Sequence, residues 1–242
     1  MNNELAHLLI VDDEVDTCAN LKDIFTDLGY RVDIAYDGPS ALELIKSQHY
    51  DIALLDLKMP GMDGLELYRR IRDVSAGTVA VIVTAYAASE TAQAALDAGA
   101  WRILSKPVDF ASLLAIVGEA LEQPLVLLVD DDQDLCQTLW DLFRENGYRV
   151  CLAYDLRGAE NQLDRLAYNV VLIDMKLPEG DGGEVLRLVR QRHPSARTIM
   201  ITGYRSEMEQ LVEQAVAGGA DAVCYKPFDV KKLLDTVEQL TG

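Results

Sequence analysis

Apolar residues follow two alternating patterns along the chain, one of short runs and one of regularly spaced positions. The runs are largely unbroken, which is typical of parallel strands that are covered on both faces. Between the runs, apolar residues recur every three or four positions, the spacing of an amphipathic helix. In the first half of the chain the runs predict five strands, at Leu8–Val11, Val32–Ala35, Ile52–Leu55, Val79–Val83 and Ile103–Leu104.

The first helical stretch shows the second pattern. Apolar residues recur at steps of three or four from Val15 to Leu28, and Gly29 predicts the end of the helix. Each later run is likewise followed by a helical stretch. Five strands that alternate with five helices predict an α/β fold with a parallel sheet and right-handed crossovers.

The whole pattern occurs twice. Segments of the first half recur 118 residues later, and the Lys-Pro pair at Lys106 recurs 120 residues later at Lys226. A period this long indicates a duplicated domain, because solenoid units are only about 20–50 residues long. We therefore predict two domains, residues 1–122 and 123–242. The matching segments include Leu9–Asp13 with Leu127–Asp131, Gly29–Val32 with Gly147–Val150, and Leu55–Pro60 with Ile173–Pro178.

Composition excludes several classes of protein. The chain carries 40 acidic and 22 basic residues, a formal net charge of −18, and so lacks the basic surface that binds nucleic-acid phosphates. No apolar run reaches the roughly 18 residues of a membrane span, and the N-terminus lacks the basic and apolar regions of a signal peptide. We expect a cytoplasmic protein with no membrane insertion and no direct binding to nucleic acid.

The cysteines and histidines form no recognisable motif. The four cysteines show neither a CxxC pair nor metal-ligand spacing, so we assign them to the core. The three histidines lie in no helical phosphodonor motif, and we assign them to the surface. These residues are Cys18, Cys136, Cys151 and Cys224, and His7, His49 and His193.

Polar residues interrupt the apolar pattern at the carboxyl ends of four predicted strands in each half. Ligands bind at this edge of an open parallel sheet, so we expect these side chains to converge on one site in each domain. The first set is Asp12, Asp13, Asp56, Thr84 and Lys106, and the second is Asp130, Asp131, Asp174, Thr202 and Lys226.

Three carboxylates in one pocket favour a bound cation. They repel one another by roughly 1 to 4 kcal/mol per pair, depending on the local dielectric. A small set of oxygen ligands suits Mg²⁺, which retains waters and shares its coordination sphere with phosphate. A lysine ammonium and a threonine hydroxyl match the other oxygens of a phosphoryl group in transfer. The residues alone therefore predict a Mg²⁺-assisted aspartate that attacks phosphorus and becomes phosphorylated.

Both halves resemble the receiver domain of bacterial two-component response regulators, over residues of about 5–121 and 125–241. The resemblance implies two tandem flavodoxin-like (βα)₅ doubly wound domains, each with a five-stranded parallel sheet in the order 2-1-3-4-5. No position of the polar set is missing from either half. We therefore expect both domains to function as receivers.

The resemblance also assigns a role to each polar residue. It implies that Asp56 and Asp174 are phosphorylated, that Thr84 and Thr202 are switch hydroxyls, and that Lys106 and Lys226 pair with the phosphate and precede a cis proline bond. It implies one Mg²⁺ per receiver. The implied metal ligands are Asp12, Asp13, Asp56 and the backbone carbonyl of Lys58 in the first half, and Asp130, Asp131, Asp174 and the backbone carbonyl of Lys176 in the second.

The function that follows is that of a phospho-acceptor rather than an enzyme, with at most self-phosphorylation from small donors and autodephosphorylation. The donor is expected to be a histidine kinase or a histidine phosphotransfer protein. Because no further domain follows the last predicted helix, output is expected to pass through contacts with a downstream protein, with a homodimer as one possibility. The alternatives are a phosphorelay intermediate, a phosphate sink, or the receiver fragment of a larger hybrid kinase or regulator.

The sequence departs from the receiver pattern at one position. Many receivers carry Tyr or Phe three residues before the lysine, whereas this chain has Ile103 and Val223 there. Tyr86 and Tyr204, two residues after each threonine, are candidates to substitute for that aromatic. Lys58 and Lys176 are candidates to hinder the hydrolytic water and lengthen the lifetime of the phosphoryl group.

Overall fold

The structure is a computed structural model that describes residues 6–178, 180–203 and 216–242. The chain divides into two compact units, Met1–Gln123 and Pro124–Gly242. This division lies one residue after the boundary expected from the repeat, because the last helix of the first unit ends at Glu122 and Gln123 caps it. None of the helices in the described ranges is long and apolar enough to cross a membrane.

The first unit is a parallel five-stranded sheet in which every strand is followed by a helix. The strand order is β2-β1-β3-β4-β5. This order confirms the flavodoxin-like topology that the sequence resemblance implied. The elements are β1 His7–Val11, α1 Val15–Asp27, β2 Arg31–Ala35, α2 Gly38–Ser47, β3 Ile52–Leu55, α3 Gly64–Val74, β4 Val79–Thr84, α4 Glu90–Asp97, β5 Arg102–Ser105 and α5 Phe110–Glu122.

The second unit repeats this topology. Its strands run in the order β7-β6-β8-β11-β12, and its elements are β6 Leu125–Val129, α6 Gln133–Glu145, β7 Arg149–Ala153, α7 Leu156–Arg165, β8 Val170–Asp174, β9 Lys176–Leu177, β10 Gly180–Asp181, α8 Gly182–Arg192, β11 Arg197–Thr202, β12 Ala222–Tyr225 and α9 Val230–Thr241. The short antiparallel pair β9–β10 was not predicted. It uses Gly180 at φ 148°, a backbone conformation that glycine adopts far more readily than other residues.

The core lies on both faces of each sheet, which explains the largely unbroken apolar runs. In β1, Leu9 and Val11 pack into one cluster, whereas Leu8 and Ile10 pack into another. Successive residues of a strand point to opposite faces, so a strand covered on both sides needs apolar residues at every position.

Aspartates begin most of the helices, which accounts for part of the acidic surplus. A carboxylate that accepts a backbone N–H in the first turn satisfies a donor that the helix leaves unpaired. Asp63, for example, accepts from Glu66 N at 2.8 Å at the start of α3. The other aspartate caps are Asp37, Asp109, Asp132, Asp155, Asp181 and Asp229.

The cysteines are placed largely as predicted. Cys18, Cys136 and Cys151 are buried, and Cys224 is half-buried. Burial and the charge of the neighbouring aspartate raise the pKa of the Cys18 thiol to about 11 and that of the Cys136 thiol to about 12. Both thiols therefore remain protonated at neutral pH.

The surface assignment of the histidines is wrong for His7. This side chain is buried, and its Nε2 lies 2.9 Å from Asp33 Oδ2. The Tyr50 ring packs against it with the ring centroids 4.2 Å apart. A carboxylate partner on the adjacent strand β2 allows a polar ring to be buried at the start of β1.

At one pair of facing positions, the two units place the glycine and the long side chain in opposite order. In the first unit a side chain on Gly38 would collide with Met62, whose Sδ would lie 2.6 Å from the added Cβ. In the second unit the positions 118 residues later hold Leu156 and Gly180, and a Cβ on Gly180 would lie 3.5 Å from Leu156 Cδ2. Each unit thus places its long side chain where the other has glycine.

Candidate functional site

The parallel strands of the first unit bring the predicted polar residues together at their carboxyl ends. Asp12 and Asp13 follow β1, and Asp56 follows β3 in the middle of the sheet. One carboxylate oxygen from each of the three lies within 4.8 Å of the other two. Asp12 and Asp56 are buried, whereas Asp13 is exposed. The cluster therefore has one face open to solvent.

The side chain of Lys106, which follows β5, extends to this cluster. Its Nζ lies 2.7 Å from Asp12 Oδ2 and 3.5 Å from Asp56 Oδ2. It also lies 3.9 Å from Glu14 Oε2, a carboxylate that was not predicted to belong to the site. The available signal for Glu14 was its place two residues after Asp12, at the start of α1. As predicted, the Lys106–Pro107 peptide bond is cis.

The second unit builds the same arrangement with tighter contacts to the lysine. Lys226 Nζ lies 2.6 Å from Asp130 Oδ2 and 3.0 Å from Asp174 Oδ1, and the Lys226–Pro227 bond is cis. The carboxylates of Asp130, Asp131 and Asp174 approach within 4.8 Å of one another. The residue equivalent to Glu14 is Asp132, which caps helix α6 by accepting from Leu135 N.

The backbone orients the two buried carboxylates. Asp12 Oδ1 accepts from Glu14 N at 3.0 Å, and in the second unit Asp130 Oδ1 accepts from Asp132 N at the same distance. Asp174 Oδ2 accepts from Lys176 N at 2.9 Å. In each of these three aspartates the other carboxylate oxygen then faces the lysine.

Burial changes the protonation equilibria of the site. It raises the pKa of Asp56 and of Asp174 above the ordinary value of 3.8, because the charged form is poorly solvated and a second aspartate lies close by. The lysine charge opposes this effect without cancelling it. For Lys106 and Lys226, burial lowers the pKa, but hydrogen bonds and the charges of the aspartates outweigh burial and raise it overall.

The threonines are the last residues of β4 and β11, at the edge of each sheet where the aspartates lie. Thr84 and Thr202 are buried, at 0% and 1% exposed. Thr84 Oγ1 accepts from Tyr86 N at 3.2 Å, so its proton is free to be donated elsewhere. Thr202 Oγ1 has no hydrogen-bond partner among the described residues.

The positions that lack the aromatic residue are occupied by core side chains. Ile103 and Val223 are partly buried and pack against the cores of the first and second units. Tyr86 is half-exposed, and Lys58 Nζ lies 4.1 Å from the centroid of its ring. Tyr204 lies outside the described residues.

The donor set fits a small divalent cation. Each cluster offers three carboxylates, one of them open to water, and a hard cation such as Mg²⁺ combines few protein oxygens with several waters. In the first unit Asp12, Asp13 and Asp56 would hold the ion, and in the second Asp130, Asp131 and Asp174. The backbone carbonyls of Lys58 and Lys176 remain predicted ligands.

Replacement of Asp56 by Asn is expected to stabilise the metal-free protein at neutral pH. Because folding raises the pKa of Asp56, the folded state binds a proton there more tightly than the unfolded chain does. This contribution to stability is complete below the ordinary pKa and is lost as pH rises through the raised pKa. Asn removes the charge, so the free energy of unfolding should rise by about 1 kcal/mol at pH 7.

Urea unfolding in a chelator at pH 7 and at acidic pH measures this effect. The gain should shrink at acidic pH, where Asp56 of the wild type is already protonated. The exposed helical Asp23→Asn serves as the control and should change stability little. A loss of stability on Asp56→Asn at pH 7 would contradict the raised pKa.

The chain is similar to known proteins over most of its length. The response regulator receiver domain family matches the chain twice, over residues 8–118 and 126–238. A response regulator receiver protein of Anaeromyxobacter sp. (strain Fw109-5) is 33% identical over 232 residues, which cover 96% of this chain and 94% of that protein. The response regulator ArlR of Staphylococcus aureus is 29% identical over 234 residues, which cover 96% of each chain.

Among solved structures, a CheY-like receiver domain protein from Methanospirillum hungatei is 34% identical, with a TM-score of 0.48. The match covers 49% of this chain and 95% of that one. With two matches to the family, one in each unit, the chain belongs to the response regulator receiver family and carries two receiver domains in tandem.

Proposed function

We propose that each receiver accepts a phosphoryl group on its central aspartate, Asp56 or Asp174, with one Mg²⁺ bound in the acid cluster. The donor is a phosphohistidine on a histidine kinase or a histidine phosphotransfer protein. The observation that carries this proposal is the same constellation in both halves, in which three carboxylates meet a lysine that is held between two of them. Family membership supports it.

The transfer exchanges one phosphorus bond for another. A carboxylate oxygen of Asp56 attacks phosphorus in line, and the P–N bond to the donor imidazole breaks with its electron pair going to that nitrogen. The imidazole leaves as a neutral ring because its other nitrogen carries a proton taken from solvent. The bound Mg²⁺ supplies positive charge that offsets the charge of the carboxylates and the phosphoryl oxygens. In this proposal Lys106 pairs with one phosphoryl oxygen and Thr84 donates a hydrogen bond to another. The distance of 3.5 Å between Lys106 Nζ and Asp56 Oδ2 supports the first role, and the uncommitted proton of the Thr84 hydroxyl supports the second.

The new charge then shifts the equilibrium between two conformations of the surface near the threonine. The phosphorylated form signals through contacts with a downstream protein. This readout requires a partner whose affinity differs between the two states. Equal affinity for both states would instead favour a phosphorelay intermediate or a phosphate sink.

Intact-mass spectrometry of the wild-type chain tests the proposal. The chain is incubated with acetyl phosphate or phosphoramidate, with Mg²⁺ or with a chelator. Two added phosphoryl groups in Mg²⁺ and none in the chelator are expected. One added group would restrict the acceptor role to a single receiver. No addition with either donor, together with no Mg²⁺ binding by calorimetry, would contradict the proposal.

Loss of the contact between Lys58 and Tyr86 is expected to shorten the lifetime of the phosphoryl group on Asp56. Lys58 follows the acceptor by two residues and Tyr86 follows Thr84 by two, so their contact joins the two loops that border the acceptor. We propose that the contact restricts the approach of water. An exposed cation–π contact is worth about 0.5–1 kcal/mol, which corresponds to a roughly two- to five-fold faster hydrolysis without it.

The decay of the phosphorylated mass of Lys58→Asn and Tyr86→Ala measures this rate, in chains that also carry Asp174→Asn so that only Asp56 is read. Lys46→Asn, which removes an exposed lysine on helix α2, is the control. Unchanged decay in both variants would show that the contact does not limit hydrolysis. The same role for Lys176 stays a prediction.

A further inference from the structure

A buried cysteine lies beside each acid cluster. Cys18 Sγ lies 3.3 Å from the backbone oxygen of Asp12, and Cys136 Sγ lies 3.3 Å from that of Asp130. Both side chains are 0% exposed. Each is the fourth residue of its helix, α1 or α6, and the two are 118 residues apart. The two halves thus use the same side chain for the same contact.

The carbonyl that accepts this bond belongs to the peptide that joins the first two aspartates of the cluster. A peptide unit is planar, so the direction of the Asp12 carbonyl also fixes the N–H and the Cα direction of Asp13. Within residues 6–178, 180–203 and 216–242, no backbone N–H donates to the Asp12 or the Asp130 carbonyl. The thiol is therefore the donor that sets the orientation of this peptide.

The exposed aspartate depends on this peptide more than its neighbour does. Asp12 is also held by its N–H, which donates to Ala35 O, and by its carboxylate, which contacts Glu14 N and Lys106. The Asp13 carboxylate makes no hydrogen bond or ion pair to the described part of the chain. Its position follows from its backbone alone, and Asp131 in the second receiver is in the same situation.

We infer that Cys18 and Cys136 are positioning residues that orient the Asp12–Asp13 and Asp130–Asp131 peptides, and thereby arrange both carboxylates for a divalent cation. This inference rests on the proposed function, because it assumes that the clusters bind Mg²⁺. Because the thiols are neutral donors at neutral pH, they add no charge to a site that already holds three carboxylates.

The competing explanation is that the cysteines only fill space beneath the helix. The two roles differ in what serine and alanine do. These two residues are close in volume, but the serine hydroxyl is a stronger donor than a thiol and alanine has no donor. A filling role predicts that both substitutions act alike. A positioning role predicts that serine preserves Mg²⁺ affinity and alanine does not.

Titration of Mg²⁺ into the full chain by calorimetry distinguishes the positioning role from the filling role. The parent carries Asp131→Asn, which weakens the second cluster so that the first is read. We expect Cys18→Ala to bind Mg²⁺ roughly tenfold more weakly than the parent. This is the lower end of the loss of metal affinity that follows when a residue that orients a metal ligand is replaced. Cys18→Ser should remain within about twofold. Thermal unfolding in a chelator, measured in parallel, reports the packing loss, which should be similar for both variants.

The outcomes distinguish this inference from the proposed function. A parent that binds no Mg²⁺ would overturn the proposed function, and this inference with it. A parent that binds Mg²⁺ while Cys18→Ala binds equally well, or while alanine and serine weaken binding equally, would overturn the positioning role alone. The mirror experiment compares Cys136→Ala and Cys136→Ser in a chain that carries Asp13→Asn. It decides the question if the Cys18 variants fail to unfold cooperatively.

Discussion

The double variant Asp56→Asn, Asp174→Asn is expected to take up no phosphoryl group from acetyl phosphate in Mg²⁺, and each single variant to take up one group fewer than the wild type. Asn has nearly the shape of Asp but lacks the anionic oxygen that attacks phosphorus. The neighbouring carboxylates should not replace it. Asp12 is engaged by the lysine and by Glu14 N, and Asp13 is exposed at the rim.

Intact mass with a count of added phosphoryl groups measures this loss. Asp63→Asn is a matched control, because Asp63 lies in the loop after β3 and caps helix α3, and Asn caps helices as well as Asp does. This control should take up as many groups as the wild type. Undiminished phosphorylation of the double variant would mean that neither central aspartate is the acceptor.

Gly64→Ala and Gly182→Ala are expected to be the most destabilising single substitutions at the two sites. These glycines begin helices α3 and α8, where the helix backbone lies against the backbone of the acceptor aspartate. A Cβ on Gly64 would lie 2.1 Å from the backbone oxygen of Asp56, and one on Gly182 would lie 2.3 Å from that of Asp174. Backbone atoms cannot move aside as a flexible side chain can. The helix start or the acceptor must shift, at a cost of about 2–4 kcal/mol in the free energy of unfolding.

Urea unfolding of each variant gives this free energy. Gly118→Ala is the control, since Gly118 lies inside helix α5 and an added Cβ would meet no atom within 4 Å. There the same substitution should be neutral or stabilising, by up to about 1 kcal/mol, because alanine favours the helix. If Gly64→Ala is as stable as Gly118→Ala, then the close approach of α3 to the backbone of Asp56 does not constrain the fold.

The features that the sequence predicted are those determined by the order of residues along a strand. Apolar runs locate the strands, and the first polar residue after each run marks a strand end. Parallel strands then bring Asp12, Asp56 and Lys106 to one edge of the sheet without any knowledge of side-chain conformation. The duplication added a second instance of every element, so a coincidental match in one half would have lacked its partner in the other.

The features that the sequence did not predict depend on where side chains point. Glu14 lies near Lys106 because of how helix α1 begins, and the cation–π contact of Lys58 depends on two loops that no periodicity describes. His7 is buried because Asp33 stands beside it on the adjacent strand. Each of these contacts joins residues whose pairing becomes visible only once the chain is folded.

The first unit pairs Gly38 with Met62, whereas the second pairs Leu156 with Gly180. This reversed order of small and large residues has a consequence for the evolution of the chain. Adjacent duplicated segments tend to recombine, and a crossover between these two positions would unite halves of different origin. One product would place Leu opposite Met in the space for a single long side chain, and the reciprocal product would place two glycines there and leave a void. Both products would be less stable than either parent. This pair of positions therefore opposes homogenisation of the two receivers and favours their separate divergence.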